Sequence, residues 1–129
     1  MMRLLLSFVC SAFLLLGCGD DDGVSLPIEP SAPAGLPSGL PAVLRADLAI
    51  RLDIDVASVQ ITEFCGVTWP NASLGVVEPD RAYTQVLIDG WLAILRAGGK
   101  DYRFHGASDR FIAADFVAGA TVLDSTRCP

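Results

Sequence analysis

Few residues in this chain have side chains suited to chemistry, and they are scattered. His105 is the single histidine, and an imidazole is the usual general base near neutral pH. Ser73 is a hydroxyl that such a base would activate as a nucleophile. Ser73 lacks the strand–elbow–helix setting and the glycine pattern of a hydrolase, and no nucleophile stands close to His105 in sequence. The plainer readings are a turn serine bonded to its own backbone and a structural histidine at a strand end. Asp20-Asp21-Asp22 suggests calcium, but no glycine hinge or downstream bidentate glutamate follows at EF-hand spacing. A solvated spacer fits better. No phosphate loop, zinc pattern or catalytic carboxylate pair is present, so the sequence points to no cofactor and no metal.

A second set of residues suits recognition better than catalysis. Pro70, Asn71 and Ser73 shape a tight turn, and Pro79 stiffens the stretch Val76 to Ala82 beside it. A rigid loop loses less entropy on binding than a flexible one. Trp69 would supply an apolar anchor. Trp69, Asn71, Ser73, Glu78, Tyr83 and Gln85 are therefore the expected binding surface. Against this, Trp69 and Trp91 also suit core or sheet-face packing, and Gln85 a cross-strand hydrogen bond. A small hydrolase using Ser73 or His105 is the alternative to a binding module. Asn71-Ala72-Ser73 also fits a glycosylation sequon, a reading that the character of the amino-terminal segment, described below, argues against.

The elements that must position these residues follow from periodicity. Pro41 suits the start of a helix, and no Gly or Pro interrupts Ala42 to Leu52. Leu40, Leu44, Leu48 and Leu52 recur every four residues, with Val43 and Ile50 adjoining and Asp47–Arg51 as an i,i+4 pair. A helix so apolar is expected to be largely buried. Asp53-Ile54-Asp55 ends it, and Asp55 suits the cap of a single turn, Val56-Ala57-Ser58. Val59 to Trp69 reads as a strand with Val59, Ile61, Cys65, Val67 and Trp69 on one face, Glu63 as the exception and Gly66 as a bulge. Asp89-Gly90 and Gly98-Gly99 predict two consecutive hairpins joining strands Tyr83–Ile88, Trp91–Arg96 and Asp101–His105. Arg110 to Phe116 is a further candidate strand; Val117 to Pro129 gives no pattern. The expected fold is α+β: one N-terminal helix packed on a small antiparallel sheet of about four strands.

The start of the chain has a different character. Arg3 precedes an apolar run, Leu4 to Leu16, too short to span a bilayer, which takes about 20 residues. Its length and flanks are those of a signal peptide. Leu15-Leu16-Gly17-Cys18 resembles a bacterial lipobox. That resemblance implies cleavage before Cys18, lipidation of Cys18 and attachment to a membrane through the lipid. Gly19, in the place where aspartate affects lipoprotein sorting, points to the outer membrane of the bacterial envelope. Residues 1–17 are then a signal peptide and 18–39 an acidic, then Pro/Ser/Gly-rich linker. Residues 40–129 form a single domain, with the membrane and an unidentified protein, peptide or cell-wall component as partners. That domain carries 11 acidic and 8 basic residues, a net charge of −3. Mild acidity without a basic patch argues against nucleic acid. With Cys10 in the signal peptide and Cys18 lipidated, Cys65 and Cys128 remain. Two thiols in an exported domain suggest a disulfide, with two free thiols as the alternative. A metal pair is less favoured, His105 being the single other soft ligand.

Trp69-Pro70-x-x-Ser73-Leu74-Gly75, Tyr83-Thr84-Gln85, Asp89-Gly90-Trp91 and Tyr102-x-Phe104-His105 resemble a group of small bacterial exported domains without an assigned activity. In that group a leucine-rich helix precedes a tryptophan–proline turn. Related sequences carry a cysteine just after the Ser-Leu-Gly turn, where this chain has Val76; Cys65 stands in its stead. The order of helix then sheet is also similar to PepSY-like modules, a likeness of fold that implies no function.

Overall fold

The computed structural model describes residues 35–123 and 128. One helix, α1 (Leu40–Leu52), is followed by a sheet of β1 (Gln60–Trp69), β3 (Ile88–Ala97), β4 (Lys100–Ala107) and β5 (Arg110–Ala113). The strand order is β1-β3-β4-β5 and every pairing is antiparallel. A second small sheet joins β2 (Val76–Val77) to β6 (Thr121–Val122). The α+β expectation therefore holds.

Pro41 lies in the first turn of α1, which starts one residue earlier than Pro41 itself. Its missing N–H costs nothing there. Asp53 closes the helix in a left-handed conformation, φ 53°, with its N–H and that of Ile54 returning to the last carbonyls. Asp47 and Arg51 pair at 2.5 Å. Asp55 caps the 3-10 turn Val56–Ser58 by accepting from the Ala57 N–H at 2.7 Å. Arg45 donates to the Val59 and Val56 carbonyls, tying that turn to the helix. Burial of α1 is narrower than expected. Leu44, Leu48 and Ala49 are buried and Leu40 and Leu52 half-buried, but Val43 is 51% and Ile50 80% exposed. A helix on one side of a sheet can bury only the stripe that faces it.

That stripe packs on one sheet face, with Val59, Trp91, Ala93, Leu95, Tyr102 and Phe104. Trp69, Leu74 and Ala107 form a second core with Val67, Ile88 and Ile112. The division shows why one face could not hold all the apolar residues of β1. Its register shifts between Ile61 and Glu63, where the irregularity lies, and not at Gly66. Ile61 therefore pairs with Leu95 and joins the helix side, whereas Cys65, Val67 and Trp69 alternate onto the other face.

One expected hairpin exists and one does not. Gly98 and Gly99 both have positive φ, 57° and 76°, and turn β3 into β4. Asp89 and Gly90 make no turn; they lie inside β3, opposite Thr68 and Val67. Tyr83 to Leu87 is consequently not a strand. The physical reason is packing. A Cβ on Gly90 would stand 2.2 Å from the Gly106 oxygen and 2.5 Å from Trp69 Nε1. Glycine is needed here for close approach of a ring and a neighbouring strand, not for φ. Asp89 instead accepts a hydrogen bond from Thr68 Oγ1 at 3.0 Å. A second tight turn, Ser108-Asp109, joins β4 to β5, and the candidate strand Arg110–Phe116 ends early in a 3-10 turn, Ala114–Phe116. There Asp115 accepts from the Arg103 backbone N–H at 2.6 Å and pairs with its guanidinium. Burial pushes the Asp115 carboxyl up, but the Arg103 contacts outweigh it and hold the group below its usual range.

Cys65 and Cys128 form a disulfide, with Cα atoms 5.6 Å apart. Glu63 also accepts from the Cys128 N–H at 3.2 Å. Cys18, its lipidation and the signal peptide lie outside the described residues.

Candidate functional site

Between β1 and β3 the chain runs through residues 70–87, which hold five of the six residues of the expected binding surface; Trp69 ends β1. Asn71 Oδ1 accepts from the Ser73 N–H at 2.9 Å, an Asx turn. Leu74 (φ 53°) and Gly75 (φ 76°) then turn left-handed in succession. This bend lays Leu74 and Gly75 over Trp69 and His105: a Cβ on Gly75 would meet the Trp69 ring at 2.7 Å and His105 Nδ1 at 3.1 Å. Val76–Val77, expected as loop, pairs with Thr121–Val122, and the Leu123 N–H reaches the Gly75 carbonyl at 2.8 Å.

Beneath the bend is a buried aromatic stack. Trp69 and His105 lie 4.6 Å apart between ring centroids, 14° from parallel. Trp69 Nε1 donates to the Gly106 carbonyl at 3.0 Å. His105 Nδ1 stands 2.7 Å from the Leu74 carbonyl. A carbonyl can only accept, so the proton sits on Nδ1 and Nε2 carries the lone pair. Nε2 has no partner among the described residues. Burial pulls the imidazole pKa below 6.5; the Leu74 hydrogen bond, which raises it, does not compensate.

This geometry bears on the two catalytic candidates. Ser73 and His105 are both buried. Ser73 Oγ has no hydrogen-bond partner among the described residues, so it does not bond to the imidazole. Ser73 was expected to bond its own backbone, yet Asn71 holds the turn instead. Ser73 and Trp69 were also expected on an exposed binding surface. Both are buried, Trp69 at 1% exposure, because the left-handed bend folds the chain over them. Trp69 caps the end of the core rather than facing a partner.

The remaining four members of that surface stay accessible. Asn71, Glu78 and Tyr83 are half-buried and Gln85 is exposed. Tyr83 Oη receives the Glu78 N–H at 3.1 Å and donates toward Glu78 Oε1 at 3.4 Å. Arg81 pairs with the same carboxylate at 2.6 Å and lies over the Tyr83 ring, 5.7 Å from its centroid. Gln85 Nε2 donates to the Tyr83 carbonyl at 3.0 Å, a local bond rather than a cross-strand one. Glu78, Arg81 and Tyr83 form one wall of an open groove of about 300 Å³; Arg110, Phe111 and Ile112 of β5 form the other, with Ala72 at the end. Arg110 Nη2 reaches the Ala72 carbonyl at 3.4 Å. With one carboxylate against two guanidinium groups, the groove is net positive within an acidic domain. Sequence reasoning missed both arginines. Each directly follows a turn aspartate, Asp80 (φ 59°) and Asp109, the one local signal that would have pointed to them.

No curated protein and no solved structure matches the chain. A family model described as Domain of unknown function (DUF8738) matches residues 42–114. The match runs from the first turns of α1 to the end of β5, and so takes in both walls of the groove and the buried Trp69–His105 stack. The chain therefore belongs to the DUF8738 family.

Proposed function

We propose that the protein is a lipid-anchored lipoprotein of the bacterial envelope whose domain is a non-enzymatic binding module. The groove between Tyr83 and β5 is its binding site. The observation that carries this reading is the placement of accessible polar and aromatic groups. Glu78, Arg81, Tyr83 and Arg110 converge on one open groove beside the sheet, while Ser73 and His105 are both buried. Loops held by a scaffold are where recognition concentrates. The lipobox-like Leu15-Leu16-Gly17-Cys18 supports anchoring at Cys18, and the outer membrane is the proposed destination. More than one acyl chain would make the attachment persistent.

Two measurements test this. Cys18→Ser should move the protein out of the membrane fraction or leave an uncleaved precursor; normal processing with unchanged membrane partition ends the anchoring proposal. Tyr83→Ala with Arg110→Ala should abolish capture of partners from native envelope extract while thermal unfolding changes by only a few degrees. Undiminished capture by the folded double variant ends the binding proposal.

A further inference from the structure

Strand β5 is one edge of the four-stranded sheet, β1 being the other: it pairs with β4, and among the described residues nothing pairs with its outer side. In an antiparallel ladder every second residue turns its N–H and C=O away from its partner. On an edge those groups are available to another chain. The surroundings of this edge differ on its two sides. On one sheet face lies the groove of Tyr83, Arg81 and Arg110. On the opposite, helix-bearing face lies a second groove of about 440 Å³, walled by Pro37, Leu40, Val43 and Phe111, with Ser108 and Asp109 of the β4–β5 turn at one end. Phe111 borders both, so the two grooves flank the same stretch of β5.

Successive side chains of a strand point to opposite faces. A chain added to β5 would therefore send alternate side chains into the two grooves. We propose that the occupant of this edge is an extended peptide segment whose apolar and acidic residues alternate. Its apolar side chains fill the Leu40–Val43–Phe111 groove. Its carboxylates face Arg110. The proposal rests on the reading of the Tyr83 groove as a binding site and gives it a ligand class. Charge complementarity favours acid over base: Arg81 is neutralised by Glu78 at 2.6 Å, whereas among the described residues no carboxylate pairs with Arg110. Main-chain bonds to β5 supply affinity and the two grooves supply selectivity, as in other cases of strand addition. The strand has four residues, so a matching segment is about four to six residues long.

The competing account is protective: a short edge strand with an arginine on it discourages aggregation. The full chain in mild detergent, with its disulfide intact, separates the two. The probe is a fluorescein-labelled, end-capped peptide alternating leucine and glutamate, read by anisotropy. Two control peptides replace glutamate by lysine or carry backbone N-methyl groups at alternate residues. The leucine–glutamate peptide should bind, about tenfold more tightly than the lysine peptide. Arg110→Glu should reverse that preference, and N-methylation should abolish binding. Equal binding of the charged peptides, or of the N-methylated one, overturns the proposal. So does Arg110→Ala causing self-association without peptide binding, which is the protective outcome. A dimer dissociated by Arg110→Glu would place a second copy on the edge and also overturn it. Protection of the β5 amides from exchange that vanishes on deleting residues 24–34 would place the chain's own linker there, with the same consequence. If no probe binds, yet Tyr83→Ala with Arg110→Ala still loses the envelope partner, this inference falls and the binding-site reading stands; if capture also persists, both fall.

Discussion

Trp69, Gly90, Gly106 and His105 settle how close the strands can come. Trp91 and Trp69 each cover a glycine: a Cβ on Gly106 would stand 2.1 Å from Trp91 Cζ2, and one on Gly90 2.5 Å from Trp69 Nε1. Adding a methyl forces a ring or a strand aside, so Gly90→Ala and Gly106→Ala should each cost about 1–3 kcal/mol, measured by denaturant unfolding. Trp69→Ala should cost about 3–5 kcal/mol, as for any large ring removed from a core. A Trp69→Ala protein that keeps its stability would return that residue to the surface. His105 has its own signature. Its folded pKa is lowered by burial, so below 6.5 the unfolded chain binds the extra proton more readily than the folded one. The stability this group supports is complete above the ordinary imidazole value and is lost as pH falls through the interval down to the folded pKa, by about 1.4 kcal/mol per unit of depression. His105→Asn keeps a donor toward Leu74 without the titration. Its unfolding free energy should vary less between about pH 7 and pH 5 than that of the parent, and identical profiles would remove His105 as the cause.

Local signals were legible in the sequence, and so was one tertiary contact, the Cys65–Cys128 bond, because thiols mark both its ends; the contacts made by packing were not. The four-residue leucine spacing, the Asp55 cap and the Gly98-Gly99 turn each act within a few positions, and each stands in the structure. Asp89-Gly90 carries the same composition as a turn, but its reason lies 16 residues further on, at Gly106, and back at Trp69. No local pattern encodes that. The two glycine sites therefore respond differently. Gly99→Ala meets open space but sits at φ 76°, and should cost roughly 1–2 kcal/mol from the left-handed backbone alone. Asparagine, which tolerates that region, should recover part of it there. At Gly90 asparagine should be worse than alanine, because the limit is space. The candidate site was half legible for the same reason. Glu78, Tyr83 and Gln85 stood out beside a turn. Arg110 joins them only because the β4–β5 turn returns the chain to their side, and an exposed arginine in a sequence reads as a solvated charge.

The described residues as a whole form a two-sided sheet whose sides are secured differently, one by α1 and the other by the bend over Trp69 together with the Cys65–Cys128 bond. With its ends 63 positions apart in sequence, that bond should contribute about 4 kcal/mol by restricting the unfolded chain. Reduction should lower the denaturant midpoint without abolishing the β3–β4 hairpin. The same separation sets an order in time. A chain emerges from synthesis amino end first, so the Cys65 thiol waits while β3, β4 and β5 are made, and its structural partner arrives only after all of them. The bond can therefore close only after the residues of all three strands are in place in the chain. Until then Cys65 is a thiol without its structural partner, and any mixed disulfide it forms must be undone by exchange before the native bond can close.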